Sequence, residues 1–219
     1  MGQITIDGPS GAGKSTIAKR VAEILAFMYV DTGAMYRTLA LYCLENGADK
    51  NDEERIGELT KDAPVHVKYE DGVQKMFLGD RDVSSDIRND EISSAASDIS
   101  KFECVREKLV SMQRDLCEDY NIVMDGRDIG TVVLPDADLK IYLTASVDER
   151  ARRRYKEYKE KGMDVTFDEV REDIIKRDYN DMNRKISPLK KADDAFEIDS
   201  SDMSIEEVTD KVVSLWKSL

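Results

Sequence analysis

The sequence predicts an α/β protein with a parallel β-sheet of five strands and helices on both faces of the sheet. Two observations predict this class. Short apolar segments alternate with helical patterns along the chain, which is typical of a parallel sheet covered on both sides. Each apolar segment also ends in a polar residue, as expected where ligands bind beyond the carboxyl ends of parallel strands.

The first part of the chain predicts two strands and two helices. Residues 2–7 form a short apolar-rich strand, and residues 14–26 follow the helical period with their apolar side chains on one face. Asp31 marks the end of a second strand. Residues 33–47 predict a second helix that ends at a C-cap glycine, Gly47.

The middle of the chain changes its period. Residues 65–84 contain two β-like runs around a hairpin turn at residues 71–72, which predicts a small antiparallel insert. Residues 86–119 return to the helical period, with a break near Lys101 between two helices. Residues 121–126 then predict a buried strand that closes with Asp and Gly.

The last part of the chain returns to alternating strands and helices. It predicts strands over residues 138–145 and 195–201, and helices over residues 147–161, 167–185 and 204–218. The first of these helices is basic and the second carries charges of both signs. We expect one domain over residues 1–219.

The segment between the first strand and the first helix has the spacing G-x-x-x-x-G-K-[ST]. Glycines permit a loop whose N–H groups converge on a phosphate, and the following helix adds its positive N-terminal end. In this motif the lysine reaches the β- and γ-phosphates and the hydroxyl ligates Mg²⁺. The residues that we expect to bind ATP are Gly8, Pro9, Ser10, Gly11, Ala12, Gly13, Lys14, Ser15 and Thr16.

Composition argues against several classes of protein. A net charge of −13 disfavours non-specific binding of nucleic acid, and no apolar run reaches the length of a membrane span. Three scattered cysteines fit free thiols in a reducing compartment. The only histidine, His66, gives little basis for a His-based catalytic triad. We therefore expect a cytoplasmic protein without nucleic-acid or membrane partners.

The phosphate-binding loop leaves the reaction open. The guanine-reading and switch strings of GTPases, N-K-x-D and D-x-x-G, are absent, and the strand at residues 121–126 lacks the Asp-Glu ending of motor ATPases. Asp125 at the end of that strand can still organise the magnesium shell. The remaining class transfers the γ-phosphoryl group to a small molecule.

Arginines favour a phosphate as the acceptor. Arg37 and Arg127 lie beside strand ends, and Arg177 and Arg184 lie seven residues apart on one helix. A phosphate acceptor is already anionic and needs charge cancellation rather than a general base. The basic helix within residues 150–165 predicts a mobile lid over ATP with Gly162 near its hinge. Its arginines Arg152 and Arg154 are the candidates for stabilising charge during transfer.

Four strings together resemble the bacterial cytidylate kinases, the CMP/dCMP kinases among the nucleoside monophosphate kinases. They are IDGPSGAGKST, DTGAMYR, DGRDIGTVVLPDADLKIYL and KRDYNDMNRKISPL, in the order found in that family. The resemblance runs from about residue 2 to the C-terminus. It implies the P-loop kinase fold, with a small extra β-sheet in the part that binds the acceptor, about residues 30–110.

The resemblance also implies roles for individual residues. It places Ser97, Arg106 and Asp128 on cytosine, where an acceptor for the N4 amino group and a donor for N3 and O2 are needed. It places Arg37, Arg127 and Arg184 on the CMP phosphate, Arg177 and Asp181 on the sugar, and Thr32 in the acceptor loop, where Thr replaces an expected Ser.

The expected reaction is phosphoryl transfer from Mg-ATP to CMP or dCMP in a monomer. Lys14, Arg152, Arg154 and Asp128 are expected to act in the transfer, with Ser15 and Asp125 on the metal. One alternative is a related kinase of UMP, or of an alcohol such as shikimate with Asp125 or Asp128 as base. The other is an ATP-binding interaction module without turnover. Three arginines for the acceptor argue against an alcohol kinase, and a lid argues against a binding module.

Overall fold

The computed structural model describes residues 1–118 and 120–219, and it confirms the α/β class. Its strands are β1 (Gln3–Asp7), β2 (Met28–Asp31), β3 (Val65–Glu70), β4 (Val73–Leu78), β5 (Arg81–Asp82), β6 (Ile122–Gly126), β7 (Leu139–Thr144) and β8 (Phe196–Asp199). Its helices are α1 (Lys14–Leu25), α2 (Thr32–Glu45), α3 (Glu53–Asp62), α4 (Asp90–Ile99), α5 (Glu103–Asp115), α6 (Val147–Glu160), α7 (Phe167–Asn183) and α8 (Ile205–Lys217). A single π-helical turn, Ile129–Val133, follows β6.

The strands form two sheets. A five-stranded sheet has the order β2-β6-β1-β7-β8, and a three-stranded sheet has the order β3-β4-β5. By its internal contacts the chain divides into two compact units, and Met1 is grouped with the first of them. The first unit is Met28–Asn121, and the second joins Gly2–Phe27 to Ile122–Leu219.

The first unit, Met28–Asn121, is held by an apolar core under the antiparallel sheet. Its helices pack in pairs, α2 with α4 and α3 with α5. Met35, Leu39, Ile56, Ile99 and Leu109 are fully buried in this core. Strands β3 and β4 pair in antiparallel register, and β4 continues to the short β5. The predicted antiparallel insert is therefore confirmed.

The second unit contains the parallel strands β6, β1, β7 and β8. Asp7 lies opposite Gly126 on one side and Tyr142 on the other, so β1 and β6 end in register while β7 continues for two more residues. Because side chains alternate along a strand, Ile4 and Ile6 lie on one face of β1, and Thr5 and Asp7 on the other. Helices α1 and α8 pack against each other.

Two local features were not predicted. The segment 53–62 forms α3, with Asp52 capping it by accepting from the Arg55 N–H at 3.0 Å. Its apolar side chains are too few to give a clear period, since only Ile56 and Leu59 of them are buried. The π-helical turn was the second omission. The predicted helical end at residue 119 lies outside the described residues.

The predicted boundaries of the other elements shift by a few residues. Helix α2 begins at Thr32 and ends at Glu45, and Gly47 then takes a φ of 71° in the left-handed region. The predicted break near Lys101 is confirmed between α4 and α5. Within the described residues, no helix is long and apolar enough to cross a membrane.

Candidate active site

The loop from Gly8 to Ser15 joins β1 to α1 and has the backbone of a phosphate cradle. Gly8, Gly11 and Gly13 have φ angles of 151°, 77° and 89°, which only glycine adopts without strain. A Cβ on Gly8 would lie 1.9 Å from the backbone oxygen of Leu143, so the loop can lie against β7 only because Gly8 has no side chain. Gly13 caps α1 and leaves the first N–H groups of that helix for a ligand.

Lys14 is held inside this loop. Its side chain is buried, and Nζ donates to the Pro9 carbonyl oxygen at 2.8 Å. Burial, aided by the charge of Arg127, lowers the pKa of Lys14 to about 7, against the opposing effect of nearby carboxylates. A bound triphosphate would supply the anionic partners that this ammonium group needs in a buried site.

Ser15 and Asp125 have a geometry that suits two ligands of one Mg²⁺ ion. The Ser15 hydroxyl donates to Asp125 Oδ2 at 2.9 Å. Adjacent ligands of an octahedral Mg²⁺ with bonds of about 2.0–2.1 Å are separated by about the same distance. Among the described residues no group of three or more His, Cys, Asp or Glu side chains could hold a metal. A Mg²⁺ ion here would thus take its remaining ligands from phosphate and water.

Two ion pairs join the segment after β6 to the end of α7. Arg127 Nε donates to Asp181 Oδ2 at 2.8 Å, and Arg184 Nη2 lies 3.4 Å from Asp128 Oδ1. Burial works against the charge on Arg127, but Asp181 and Asp125 outweigh it and raise its pKa. All four residues are predicted site residues. Although the partners lie more than 50 positions apart in the sequence, the fold joins them in two pairs of opposite charge.

Helix α6 presents some of its arginines to the loop. Arg154 Nη1 donates to the Ser10 hydroxyl at 3.2 Å, and Arg150 Nη1 donates to the Ser10 carbonyl oxygen at 3.1 Å. Arg150 is buried and also pairs with Asp178 at 2.7 Å. Arg152 lies elsewhere, because it pairs with Glu149 and its side chain is 68% exposed.

Arg177 lies on α7 and shares a carboxylate of that helix with Arg154 of α6. Its Nε pairs with Asp173 Oδ2 at 2.8 Å, and Arg154 lies 3.9 Å from the same carboxylate. The arginine side chains are mostly shielded from solvent, with exposed fractions of 14% and 16%. The α6 and α7 helices pack together through Ala151, Val170 and Ile174.

In the unit Met28–Asn121, two arginines converge on one carboxylate. Asp31 is buried and caps α2 by accepting from the Ala34 N–H at 2.8 Å. Arg37 Nη2 and Arg88 Nη1 reach Asp31 Oδ2 at 3.2 and 3.1 Å. Burial opposes the charged carboxylate, but the two arginines outweigh it and lower the pKa of Asp31. Both arginines are therefore held at one carboxylate at the start of α2.

Gly33 allows this cluster to form at the start of α2. A Cβ there would lie 3.0 Å from Arg37 Nη1 and 3.2 Å from Asp31 Oδ1. Thr32 is buried beside it. The predicted acceptor residues Thr32 and Arg37 therefore lie in the first and second turns of α2, which Asp31 caps.

Ser97 and Arg106 are linked through Ser100. The Ser100 hydroxyl donates to the Ser97 carbonyl oxygen at 2.8 Å, and Arg106 Nη1 lies 3.5 Å from the Ser100 carbonyl oxygen. The Arg106 guanidinium is buried and lies 5.7 Å from the centroid of the Tyr36 ring. The guanidinium group of Arg106 thus lies over the Tyr36 ring in a cation–π arrangement.

Sequence reasoning missed four residues that shape these clusters. Arg88 stands alone in its segment, and Asp7 is one of the polar residues at a strand end but received no role of its own. The helical period could have identified Arg150 and Arg153, because positions 150, 153 and 154 share one face of a helix and position 152 does not. Arg153 donates to the Ser200 carbonyl oxygen at 2.6 Å.

Comparison with known proteins gives a consistent result. The sequence matches the family described as cytidylate kinase over residues 4–218. The cytidylate kinase of Caldicellulosiruptor bescii is 50% identical over 213 residues, which cover 97% of this chain and 94% of that protein. The cytidylate kinase of Bacillus subtilis is 49% identical over 210 residues, which cover 96% and 94%.

A solved structure agrees at the level of the fold. The shikimate kinase of Bacteroides thetaiotaomicron superimposes with a TM-score of 0.51, over 99% of this chain and 98% of that one. Its sequence identity is 14%, so this likeness concerns the fold alone. It supports the α/β fold with a central parallel sheet.

Proposed function

The chain belongs to the cytidylate kinase family, and from this premise we propose that it transfers the γ-phosphoryl group of ATP to CMP or dCMP, giving ADP and CDP or dCDP. The observation that carries the proposal is the identity of about half of all residues with curated cytidylate kinases over nearly the whole chain. The phosphate cradle and the paired arginines support it in physical terms.

In this proposal the loop from Gly8 to Thr16 binds the phosphates of ATP. Lys14 leaves the Pro9 carbonyl oxygen for the β- and γ-phosphates, and Arg154 follows the loop through its bond to Ser10. Both cations would offset the charge that develops on the transferring group. Arg152 would reach the phosphates only if α6 or its own side chain moved, which the predicted closing of a lid over residues 150–165 would supply.

Mg²⁺ would be held by Ser15 and Asp125 together with phosphate oxygens. The ion would neutralise phosphate charge and keep the triphosphate in one conformation. The Asp125 carboxylate is oriented before the ion arrives, because it already accepts the Ser15 hydroxyl.

The acceptor phosphate would be bound by arginines that are now held by carboxylates. Arg37 is paired with Asp31, Arg127 with Asp181, and Arg184 with Asp128. Pairing fixes each fork before the substrate binds, which lowers the entropy cost of binding. A phosphate dianion would compete with these carboxylates and accept charge-assisted hydrogen bonds from the guanidinium groups.

Cytosine would be read by Ser97, Arg106 and Asp128, with Arg177 and Asp181 near the sugar. Uracil reverses the hydrogen-bonding polarity at positions 3 and 4, so it would leave buried groups unsatisfied. An alcohol kinase would need a base, but Asp125 accepts from Ser15 and Asp128 pairs with Arg184. These contacts argue against an alcohol kinase.

The proposal extends to the state of the protein in the cell. We propose that the protein is cytoplasmic, because its three cysteines are free thiols, which fit a reducing compartment. We also propose that it is a monomer. Sedimentation at micromolar concentration tests the monomer directly, and a dimer mass would contradict that part.

The test is ADP release with Mg-ATP and separate acceptors: CMP, dCMP, UMP, AMP, GMP, dTMP and shikimate. We expect strong turnover with CMP and dCMP and little with the others. Turnover with shikimate would show that the arginines had been wrongly assigned to a phosphate acceptor. ATP binding without any turnover would support an interaction module instead.

A further inference from the structure

We propose that Asp7 is the residue that positions Arg127 and Asp128 for the acceptor nucleotide, by fixing the π-helical turn that follows them. This inference rests on the proposed function, because it concerns the binding of CMP. It assigns to Asp7 a positioning role rather than contact with a substrate.

The carboxylate of Asp7 accepts two backbone hydrogen bonds from a segment more than 120 residues away. The N–H of Ile129 donates to Oδ1 at 2.8 Å, and the N–H of Gly130 donates to Oδ2 at 2.7 Å. These are the first two N–H groups of the π-helical turn, and the start of a helix leaves such groups without partners in the helix itself. Each oxygen therefore satisfies one buried donor.

The same turn also packs closely against side chains of β1 and β7. A Cβ on Gly130 would lie 2.9 Å from Thr5 Oγ1 and 3.2 Å from Lys140 Cδ. Lys140 is buried and its ammonium group donates to the Pro135 carbonyl oxygen, just beyond the turn. Strands β1 and β7 thus hold the turn at both of its ends.

Holding the turn fixes the two residues that precede it. Asp128 is the residue immediately before Ile129, and its carbonyl oxygen accepts the Val132 N–H at 2.9 Å, within the same turn. Its side chain and that of Arg127 then reach the end of α7 through the two ion pairs described above. If the turn shifted, both side chains would move with it.

The carboxylate is costly at this place, which argues that it has a task. Burial raises the pKa of Asp7 to about 6, although the N–H groups of Gly130 and Ile129 work in the opposite direction. Asp7 also adjoins the loop proposed to bind a triphosphate, where a negative charge opposes binding. An asparagine would carry no charge, but it has only one acceptor oxygen for two N–H groups.

The experiment compares Asp7→Asn with wild type in steady-state kinetics. The amide can accept only one of the two N–H groups and turns a donor toward the other. We expect the KM for CMP to rise about tenfold and the preference for CMP over UMP to fall, with the KM for ATP within about twofold. A purely structural loss would change both KM values together and lower the melting temperature.

A matched control comes from the opposite end of the same strand. Asp138 Oδ2 accepts the Gln3 N–H at 2.8 Å, so it is also a carboxylate that binds backbone across β1 and β7. Asp138→Asn should leave both KM values and the CMP preference unchanged. An effect equal to that of Asp7→Asn would contradict the proposal.

A second pair of variants keeps the test valid if Asp7→Asn folds poorly. Gly130→Ala should raise the KM for CMP, because its Cβ would press on Thr5 Oγ1. Adding Thr5→Ala removes that oxygen and should restore part of the loss. Equal KM values for CMP in wild type, Asp7→Asn and Gly130→Ala would overturn the proposal.

Amide hydrogen exchange separates this inference from the proposed function. The N–H groups of Ile129 and Gly130 should exchange at least tenfold faster in Asp7→Asn than in wild type, whatever the acceptor is. If wild type failed to phosphorylate CMP, the proposed function would fall and with it the role in CMP binding. Unchanged exchange in a kinase that does use CMP would refute the role of Asp7 alone.

Discussion

Gly8→Ala tests whether the phosphate cradle depends on the close approach of the loop to β7. The new Cβ would lie 1.9 Å from the Leu143 carbonyl oxygen. Ordinary carbon–oxygen contacts are about 3.3 Å, so the two backbones would have to separate by about 1.4 Å. Such a shift next to the Asp7–Tyr142 register position would break hydrogen bonds of the parallel ladder.

The expected cost follows from two contributions. Overpacking against a backbone atom costs about 1–3 kcal/mol or more, and a positive φ adds about 1–2 kcal/mol for alanine. We therefore expect Gly8→Ala to lower the free energy of unfolding by about 4 kcal/mol. Because the strand end and the loop move together, ATP binding should also be lost in the fraction that remains folded.

Gly47→Ala is the control, because it separates the two contributions. Gly47 also has a positive φ, of 71°, but a Cβ there meets no atom within 4 Å. It should lose only the backbone contribution, about 1–2 kcal/mol, and bind ATP normally. Urea unfolding and calorimetry with ATP measure both quantities. Equal losses of stability in the two variants, or normal ATP binding by Gly8→Ala, would refute the reasoning.

Three further predictions concern charge. Since burial holds the pKa of Lys14 near 7, ATP binding at pH 8 should take up about one proton, seen as a binding enthalpy that depends on the buffer; a buffer-independent enthalpy would contradict this. Arg154→Gln should lower kcat more than Arg152→Gln, because only Arg154 contacts the loop; the reverse order in a turnover assay would favour the arginine that is now exposed. Asp31 has a lowered pKa, so its contribution to stability is present above pH 4 and is lost as the pH falls through that lowered pKa. Between pH 7 and pH 3 the free energy of unfolding of Asp31→Asn, measured by urea unfolding, should therefore fall less than that of wild type. If the free energies of both proteins fell in parallel with pH, the ion-pair cluster would be contradicted.

Local patterns predicted most of the fold because they reflect periodic burial. The strand before the loop, the hairpin insert and the closing helix each show a clear period in the sequence. Helix α3 was not predicted, because its sequence EERIGELTKD is mostly charged and shows no clear apolar period. The helix is stabilised by its N-cap and two buried apolar side chains. The π-helical turn was not predicted, because it is held by the carboxylate of Asp7, which lies on a strand distant in the sequence.

The candidate site was predictable where a motif fixes spacing and less so where contacts are long-range. The loop from Gly8 to Ser15 has a spacing set by the phosphate, so its residues could be named from the sequence. The pairing of Arg127 with Asp181 joins positions 54 residues apart, and only the fold brings them together. Arg152 was predicted to act in the transfer but faces solvent, whereas Arg150, two positions earlier on the same helix, is buried.

The central claim is that the acceptor is a nucleoside monophosphate read by its cytosine base. The most direct measurement places CMP and UMP at equal concentration in one reaction with limiting Mg-ATP and separates the diphosphates by anion exchange. The ratio of the two products then equals the ratio of the two kcat/KM values, independent of enzyme concentration. We predict at least tenfold more CDP than UDP at early times. Equal amounts of both, or no diphosphate while ATP is bound, would contradict the account.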